Sequence, residues 1–420
     1  MKKITQIPLN IVITWWIFWG IISIFSFTGL YVPGVHTYII LGIFILSLFA
    51  GGKCVYFFKS KIASSPCCSE LLVERNLNYS FNASIALLFA VLSVLVVRCQ
   101  ILVHQSFTPT VYRSFAFSTV STVGTLFQNR ILENLYFLIS SPLLFFIALY
   151  ALVEFWRKGT FKKLIIAFIL NSMDAYIRLG RVNLYLMIVL FMIVFLISDY
   201  KIITFLKNKK KELLLIFVAF AGILYIGVQR GYSPTQQFKM FVIDYHTVGF
   251  DLFDHELKNP ASALNTVRTY GRLSMGGLET IGTIIIRRFD KNYYSPALEN
   301  SIKMANESIV VGVENPPTVI FNGIKVYNSF YTLLYTFYSD GGYLGIIFGG
   351  IVLGFILEFF YQRWIQHHNI LDAFFLILFI SIGILSIFMS QLEIMRTWII
   401  FVFLILIGYI SKVTGRNEIK

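Results

Sequence analysis

Long apolar runs recur along the chain, and short polar connections separate them. Each run approaches the roughly 20 residues that an α-helix needs to cross a bilayer. We therefore expect an all-α, polytopic membrane protein with about ten transmembrane helices. The predicted spans lie near residues 9–29, 36–58, 79–103, 131–156, 163–179, 182–198, 212–228, 343–361, 371–389 and 394–412.

One long interval lacks such a run and divides the chain into three parts. Residues 1–228 hold predicted helices one to seven with short loops, 229–342 form one large loop, and 343–420 hold the last three helices. A connection of this length without a function is unusual. Its amphipathic stretches, near 236–254 and 278–288, predict a small helical cap on the membrane surface.

Composition agrees with this class and narrows the chemistry. The 420 residues are 57% hydrophobic and 13% charged, and the mean hydropathy is +0.74, a balance that soluble domains do not show. The four cysteines form no C-x-x-C pair, which argues against a disulfide framework or a zinc site. No phosphate loop, H-E-x-x-H helix or D-x-D pair occurs, which weakens a metal-assisted transferase that uses nucleotide sugars.

Charge sets the expected orientation. Lysines predominate in the short loops on the side of the two termini, so the positive-inside rule predicts that both termini are cytoplasmic and that the large loop faces the other side. Arginine predominates on that other side. Its planar fork of donors matches phosphate and carboxylate, which suggests a binding site there for a polyanionic group.

The stretch "NSMDAYIRLGRVNLYL" (171–186) places Asp174, Arg178 and Arg181 in a predicted helix hairpin that turns near Gly180. Ionisable groups at membrane depth are costly and usually face a cavity, a ligand or the protein interior. Asp174 and Arg178 are four residues apart and share a helix face. Either Asp174 orients Arg178 toward a phosphate, or the pair only makes the helix insertable.

The large loop supplies the other candidates. Arg268 and Arg272 are four residues apart beside glycines, so they predict either a second anion clamp or a solvated face. His246 is the first candidate for a general base by residue type, ahead of Asp251 and Asp254, although a lone histidine is often structural.

The end of the loop has its own pattern. "VYNSFYTLLYTFYSDGGYLGIIFGGIVLG" (326–354) carries aromatic and amide side chains, then an Asp-Gly-Gly turn, then a glycine-rich helix that permits close packing. Tyr327, Asn328, Tyr331 and Asp340 suit the binding of sugar rings. The alternative for the tyrosines is an ordinary aromatic belt at the membrane interface.

These features together resemble the Wzy-type O-antigen polymerases. The resemblance rests on the stretch 326–354, on the Gly-Arg hairpin "IRLGRVNLYL" (177–186), and on the layout of ten spans with one large late loop. Val182 departs from the family, whose members carry a more polar residue after Gly-Arg.

The resemblance implies an enzyme of the bacterial inner membrane. Such an enzyme works at the periplasmic face, transfers a growing chain from undecaprenyl pyrophosphate to a new lipid-linked repeat, and uses no cofactor, metal or nucleic acid. The leaving pyrophosphate is the anion that Arg178 and Arg181 are expected to bind, with Arg230, Arg268 or Arg272 closing from the loop. Membrane lipid and a chain-length regulator protein are the further partners expected.

Two alternatives stay open from the sequence. An O-antigen ligase uses the same donor with a different acceptor. A flippase for lipid-linked oligosaccharides is a transporter, and the missing internal repeat and the large loop argue against it.

Overall fold

The computed structural model describes residues 7–27, 30–57, 70–104, 111–112, 116–117, 125–180, 182–198, 238–287 and 331–417, with scattered positions between 214 and 235 and between 289 and 324. The regular secondary structure of the described residues is helical except for a ladder of two residues per strand, β1 (Ile320–Phe321) and β2 (Gly323–Ile324). This confirms the all-α prediction.

The helices follow the apolar runs of the sequence. They are α1 (Ile7–Phe25), α2 (Val35–Phe57), α3 (Glu70–His104), α4 (Arg130–Asn134), α5 (Ser141–Lys158), α6 (Lys162–Arg178), α7 (Val182–Ile197), α8 (Tyr245–Lys258), α9 (Ala263–Thr266), α10 (Gly276–Ile286), α11 (Leu333–His367), α12 (Ile370–Leu385) and α13 (Met395–Asn417). Two π-helical turns (Leu135–Ser140 and Lys239–Asp244) and a 3₁₀ turn (Gln391–Glu393) complete the described elements.

Six helical stretches in the described part of the chain are long and apolar enough to cross a membrane. They are Ile7–Phe25, Val35–Phe57, Glu70–His104, Ile131–Lys158, Leu333–His367 and Met395–Thr414. Three apolar helices are shorter, at Asn183–Ile197, Gly276–Ile286 and Ile370–Leu385. The predicted span at 212–228 lies mostly outside the described residues. The chain therefore has the character of a membrane protein, with six of the ten predicted spans meeting this criterion of length and hydropathy.

The chain forms two compact units. The first comprises residues 1–67 and 238–402, and the second comprises residues 68–237 and 403–420. The first unit thus joins α1 and α2 to the segment that contains α8 to α12, although more than 170 residues separate them along the chain.

Small residues hold α2 against α11 in the first unit. A Cβ atom added at Gly354 would lie 2.0 Å from the Leu48 carbonyl oxygen, and one added at Gly51 would lie 2.0 Å from that of Ile351. Glycine removes the side chains that would keep two helix backbones apart. The close helix packing predicted from the glycine-rich sequence after Asp340 is therefore present between α2 and α11.

Helix α11 is broken near its start. Gly342 has a left-handed φ of 60° with ψ −138°, which interrupts the regular helix, and Gly341 also departs from helical geometry. The short segment before the break folds back onto the helix that follows it. A Cβ added at Gly345 would lie 2.0 Å from the Phe337 carbonyl oxygen, and one added at Gly349 would lie 2.6 Å from the Phe337 ring. The Asp-Gly-Gly turn therefore reverses the chain instead of only preceding a straight helix.

Helix α8 runs beside α1. His246 near its start contacts Trp15 and Trp19 of α1, and Asp254 near its end reaches Gly34, just before α2 begins. The predicted amphipathic stretch at 236–254 thus packs alongside the first helix.

The second unit contains the hairpin of α6 and α7. The turn is made by Leu179, which has a left-handed φ of 43°, and the Gly180 N–H donates to the Ala175 carbonyl at 2.9 Å. The predicted turn near Gly180 is confirmed.

Candidate functional site

Asp340 is the last residue before the break in α11, and its carboxylate organises the loop at 267–275. Oδ1 accepts hydrogen bonds from Thr269 Oγ1 at 2.5 Å and from the Leu273 N–H at 3.0 Å. Oδ2 accepts from the Ser274 N–H at 2.9 Å and from the Ser274 hydroxyl. The carboxylate therefore receives four hydrogen bonds from one loop.

The backbone strengthens this attachment. The Thr269 N–H donates to the Ser339 carbonyl and the Tyr270 N–H donates to the Asp340 carbonyl, both at 3.0 Å. The break in α11 leaves the Ser339 and Asp340 carbonyls without helical partners, and these two N–H groups supply the missing hydrogen bonds. Asp340, which was predicted to bind sugar, thus uses its carboxylate to position the loop.

An elongated cavity of about 660 Å³ begins beside this loop. Tyr270, Gly271 and Ser274 line its end at the loop, and its lining is almost entirely apolar beyond that point. Leu344, Phe348, Val352 and Ile356 form one stripe along α11, and Phe379 and Ile382 of α12 also line the cavity. From Leu344 to Ile356 the stripe is about 18 Å long, at 1.5 Å per residue.

Arg268 lies at the break in α11. Its guanidinium is 5.2 Å from the centre of the Tyr338 ring, donates to the Leu264 carbonyl, and approaches Gly342, where an added Cβ would lie 3.6 Å from Nη2. In the described part of the chain, no carboxylate lies within ion-pair distance of Arg268. Among the described residues, therefore, no acid neutralises the positive charge of Arg268.

Arg272 is in a different situation. Its Nε donates to Glu279 Oε1 at 2.7 Å and its Nη2 donates to Oε2 at 3.1 Å. This bidentate pair lowers the pKa of the Glu279 carboxyl, chiefly through the hydrogen bond from Arg272, and raises the pKa of Arg272. The pair already occupies the fork of Arg272.

The loop that carries Arg268 and Arg272 is not helical between them. Tyr270 and Gly271 both have left-handed φ values, 51° and 86°. Two such residues in succession interrupt helical spacing. The two arginines take separate partners, Leu264 for Arg268 and Glu279 for Arg272, and their role as an anion clamp stays a prediction.

In the second unit, the hairpin holds Arg178 through its Nε atom. Nε donates to the Tyr136 hydroxyl at 2.7 Å and to Asp174 Oδ1 at 3.2 Å, and the guanidinium lies over the Tyr136 ring at 5.0 Å. Asp174 is fully buried and also accepts from Tyr136 and from Asn183 Nδ2 at 2.5 and 2.6 Å. The predicted pairing of Asp174 with Arg178 is present.

This arrangement leaves the end of the fork available. Among the described residues, no hydrogen-bond acceptor lies on the two Nη atoms of Arg178, whose side chain is 33% exposed. A guanidinium fixed through Nε presents both Nη groups in the geometry that binds a phosphate or carboxylate bidentately. The anion-binding role of Arg178 stays a prediction.

Sequence reasoning missed Tyr136 altogether. Its π-helical turn, Leu135–Ser140, carries it to Asp174 from 38 residues away along the chain. A π-helical turn often marks a functional position. The sequence contains no indication of this turn, because one π-helical turn hardly changes the spacing of apolar residues along a helix.

The three predicted general bases lie on one helix but in different surroundings. His246 is buried and stacks on Trp19 with 4.0 Å between ring centres. Asp254 accepts from the Gly34 N–H at 2.8 Å, from Thr37 Oγ1 at 2.9 Å, and pairs with Lys258 at 2.6 Å, so it caps the start of α2. Asp251 is buried, and neither carboxylate oxygen has a hydrogen-bond partner in the described structure.

The remaining predicted residues divide by whether the structure describes them. Tyr331 is buried and stacks on Tyr335 at 3.8 Å between ring centres. Arg181, Arg230, Tyr327 and Asn328 lie outside the described residues.

Comparison with protein-family models, with curated proteins and with solved structures finds no match to this chain.

Proposed function

We propose that this chain is a membrane glycosyltransferase that polymerises oligosaccharide repeats linked to undecaprenyl pyrophosphate into O-antigen polysaccharide. The growing chain passes to a new lipid-linked repeat, and undecaprenyl pyrophosphate is released. The observation that carries the proposal is the apolar cavity that ends at a broken helix next to Arg268, which pairs with no carboxylate among the described residues.

The cavity suits the hydrocarbon part of a lipid-linked donor. Its stripe along α11 covers about 18 Å, which is more than half of the ~30 Å hydrocarbon core of a bilayer. Apolar side chains such as Phe348 and Phe379 line it, while the loop with Ser274 and Gly271 lies at one end. A polyprenyl chain in the cavity would leave its polar head at that loop.

The polar head carries a pyrophosphate, which requires positive charge. Arg268 belongs to this loop and has no acid partner among the described residues, so its charge is available to an anion. Stabilising the charge that develops on a leaving group is often the largest catalytic contribution. Arg178, whose Nη atoms have no acceptor among the described residues, is by itself also suited to bind an anion, and Arg181 and Arg230 remain predicted contacts.

The reaction needs one proton acceptor. The oxygen of the acceptor hydroxyl forms a bond to the anomeric carbon of the donor sugar as the bond from that carbon to the pyrophosphate oxygen breaks. The hydroxyl proton passes to a base of the protein. His246, Asp251 and Asp254 remain the candidates for this base, and Asp251 is the one whose carboxylate no described hydrogen bond occupies.

The proposal also covers the membrane in which the chain lies and its transmembrane topology. The chain would lie in a bacterial inner membrane with ten spans, both termini in the cytoplasm, and residues 229–342 at the periplasmic face. A chain-length regulator protein would be its partner there.

The test is the lipopolysaccharide ladder of a strain from which the gene has been deleted. We expect core with a single repeat in the deletion strain, a full ladder with the wild-type gene, and short chains with Arg268→Gln. Arg272→Gln is the matched control, because Glu279 already neutralises that arginine. Core without any repeat in the deletion strain would contradict the proposal and favour a ligase or a flippase.

A further inference from the structure

Tyr270 combines two properties that rarely occur together. It is 86% exposed, and its φ of 51° lies in the left-handed region. A bulky residue in that region is a genuine outlier, because its Cβ crowds the backbone. Such a conformation persists only where the surroundings hold it, and it is concentrated at functional positions.

The surroundings of Tyr270 do hold it. Its N–H donates to the Asp340 carbonyl, and the Thr269 N–H before it donates to Ser339. The Arg272 N–H after it donates to the Thr269 carbonyl at 3.0 Å. The backbone on both sides of the ring is therefore fixed, so little freedom is lost when the ring binds a partner.

The Tyr270 ring also lies at the end of the cavity where the head of a bound lipid would be. Tyr270 lines the end of the cavity together with Gly271 and Ser274, and Arg268 is two residues away along the loop. With the donor lipid in the cavity, the first sugars beyond its pyrophosphate would lie at this end. Exposed aromatic rings bind pyranoses well, because the C–H face of the sugar stacks on the ring while its hydroxyls stay in water.

We propose that Tyr270 is a sugar-stacking residue that holds a pyranose ring of the lipid-linked oligosaccharide at the mouth of the cavity. The inference rests on the proposed function and names one contact of its substrate. A tyrosine that only anchors the protein at a lipid interface needs an apolar body and a polar tip, but it has no need of a left-handed backbone.

The first experiment measures binding by the purified full-length protein in nanodiscs. The probe is the repeat oligosaccharide, released by mild acid from the lipid-linked pool of the deletion strain, and the readout is saturation-transfer NMR with titration. We expect Tyr270→Phe to keep the affinity, whereas Tyr270→Leu and Tyr270→Gly weaken it roughly tenfold. Tyr79→Leu, which changes an exposed tyrosine of α3, is the control and should bind as the wild type does.

The second experiment measures the unfolding temperature of the same variants. Tyr270→Gly should raise it, because glycine adopts a left-handed φ without strain and the exposed ring contributes little packing. A gain in stability together with a loss of affinity is the result that a merely structural tyrosine would not produce.

The outcomes separate the two proposals. Absence of oligosaccharide binding in the wild type would overturn the proposed function and this inference together. Wild-type binding that survives in Tyr270→Leu and Tyr270→Gly would overturn the inference alone, and so would a lowered unfolding temperature in Tyr270→Gly.

Discussion

Ser274 donates two hydrogen bonds, from its N–H and from its hydroxyl, to a single carboxylate oxygen of Asp340. The pair joins the loop at 267–275 to the last residue before the break in α11. Both the cavity end and the position of Arg268 depend on this loop, so the pair is the point at which the candidate site is most easily disturbed.

Asp340→Asn should therefore destabilise the first unit. An amide in place of the carboxylate turns one acceptor into a donor that faces other donors, at a cost of about 2 kcal/mol. The measurement is chemical or thermal unfolding in detergent, compared with the wild type. An unchanged unfolding midpoint in Asp340→Asn would show that the four hydrogen bonds are unimportant.

Arg178→Lys should impair polymerisation although it keeps the charge. Lysine cannot occupy Tyr136 and Asp174 with one nitrogen and still present a planar fork to an anion. Loss of a charge-assisted contact of this kind costs roughly 1.5–3 kcal/mol, or about one to two decades in rate. The readout is the ladder of the deletion strain at matched protein level in the membrane, and a normal ladder with Arg178→Ala would remove this residue from the site.

Gly354→Ala should lower stability, whereas Gly42→Ala should not. An added methyl at Gly354 would meet the Leu48 carbonyl at 2.0 Å, but one at Gly42 meets no atom within 4 Å. Overpacking costs about 1–3 kcal/mol, while glycine to alanine in a free helix interior stabilises by roughly 0.5–1 kcal/mol. Unfolding midpoints that shift in the same direction for both variants would contradict the packing of α2 on α11.

The pair of Arg272 and Glu279 should stabilise the fold in a pH-dependent way. Because the pKa of Glu279 is lowered in the folded protein, the contribution is complete above the ordinary carboxyl pKa of about 4.3 and is lost as the pH falls through the folded value. The side chains are partly exposed, so the effect at pH 7 should be about 0.5 kcal/mol. Unfolding of wild type and Glu279→Gln should differ at pH 7 and converge at pH 3; a difference that grows on acidification would reverse the sign of the argument.

The proposed orientation has a direct test. Alkaline phosphatase fused after Asn259 should be active, and the same enzyme fused after Lys209 should be inactive, because alkaline phosphatase folds only outside the cytoplasm. The reverse pattern would place the loop with Arg268 in the cytoplasm, where no periplasmic polymerase site could lie.

Much of the secondary structure could be predicted from the sequence alone. Long apolar runs must satisfy their backbone groups internally, and a helix does this whatever its neighbours are. The ion pair of Asp174 and Arg178 was predictable for a similar reason, since four residues make one helical turn and bring the two side chains together locally.

The tertiary structure alone decided the candidate site. Asp340 meets donors 66 to 71 residues away, and Tyr136 reaches Asp174 across 38 residues, distances over which no local period carries information. The left-handed turn at Tyr270 and Gly271 lies between Arg268 and Arg272, and these two arginines take separate partners. Helices form from short-range backbone bonding, whereas these contacts depend on which helices pack together and where α11 reverses.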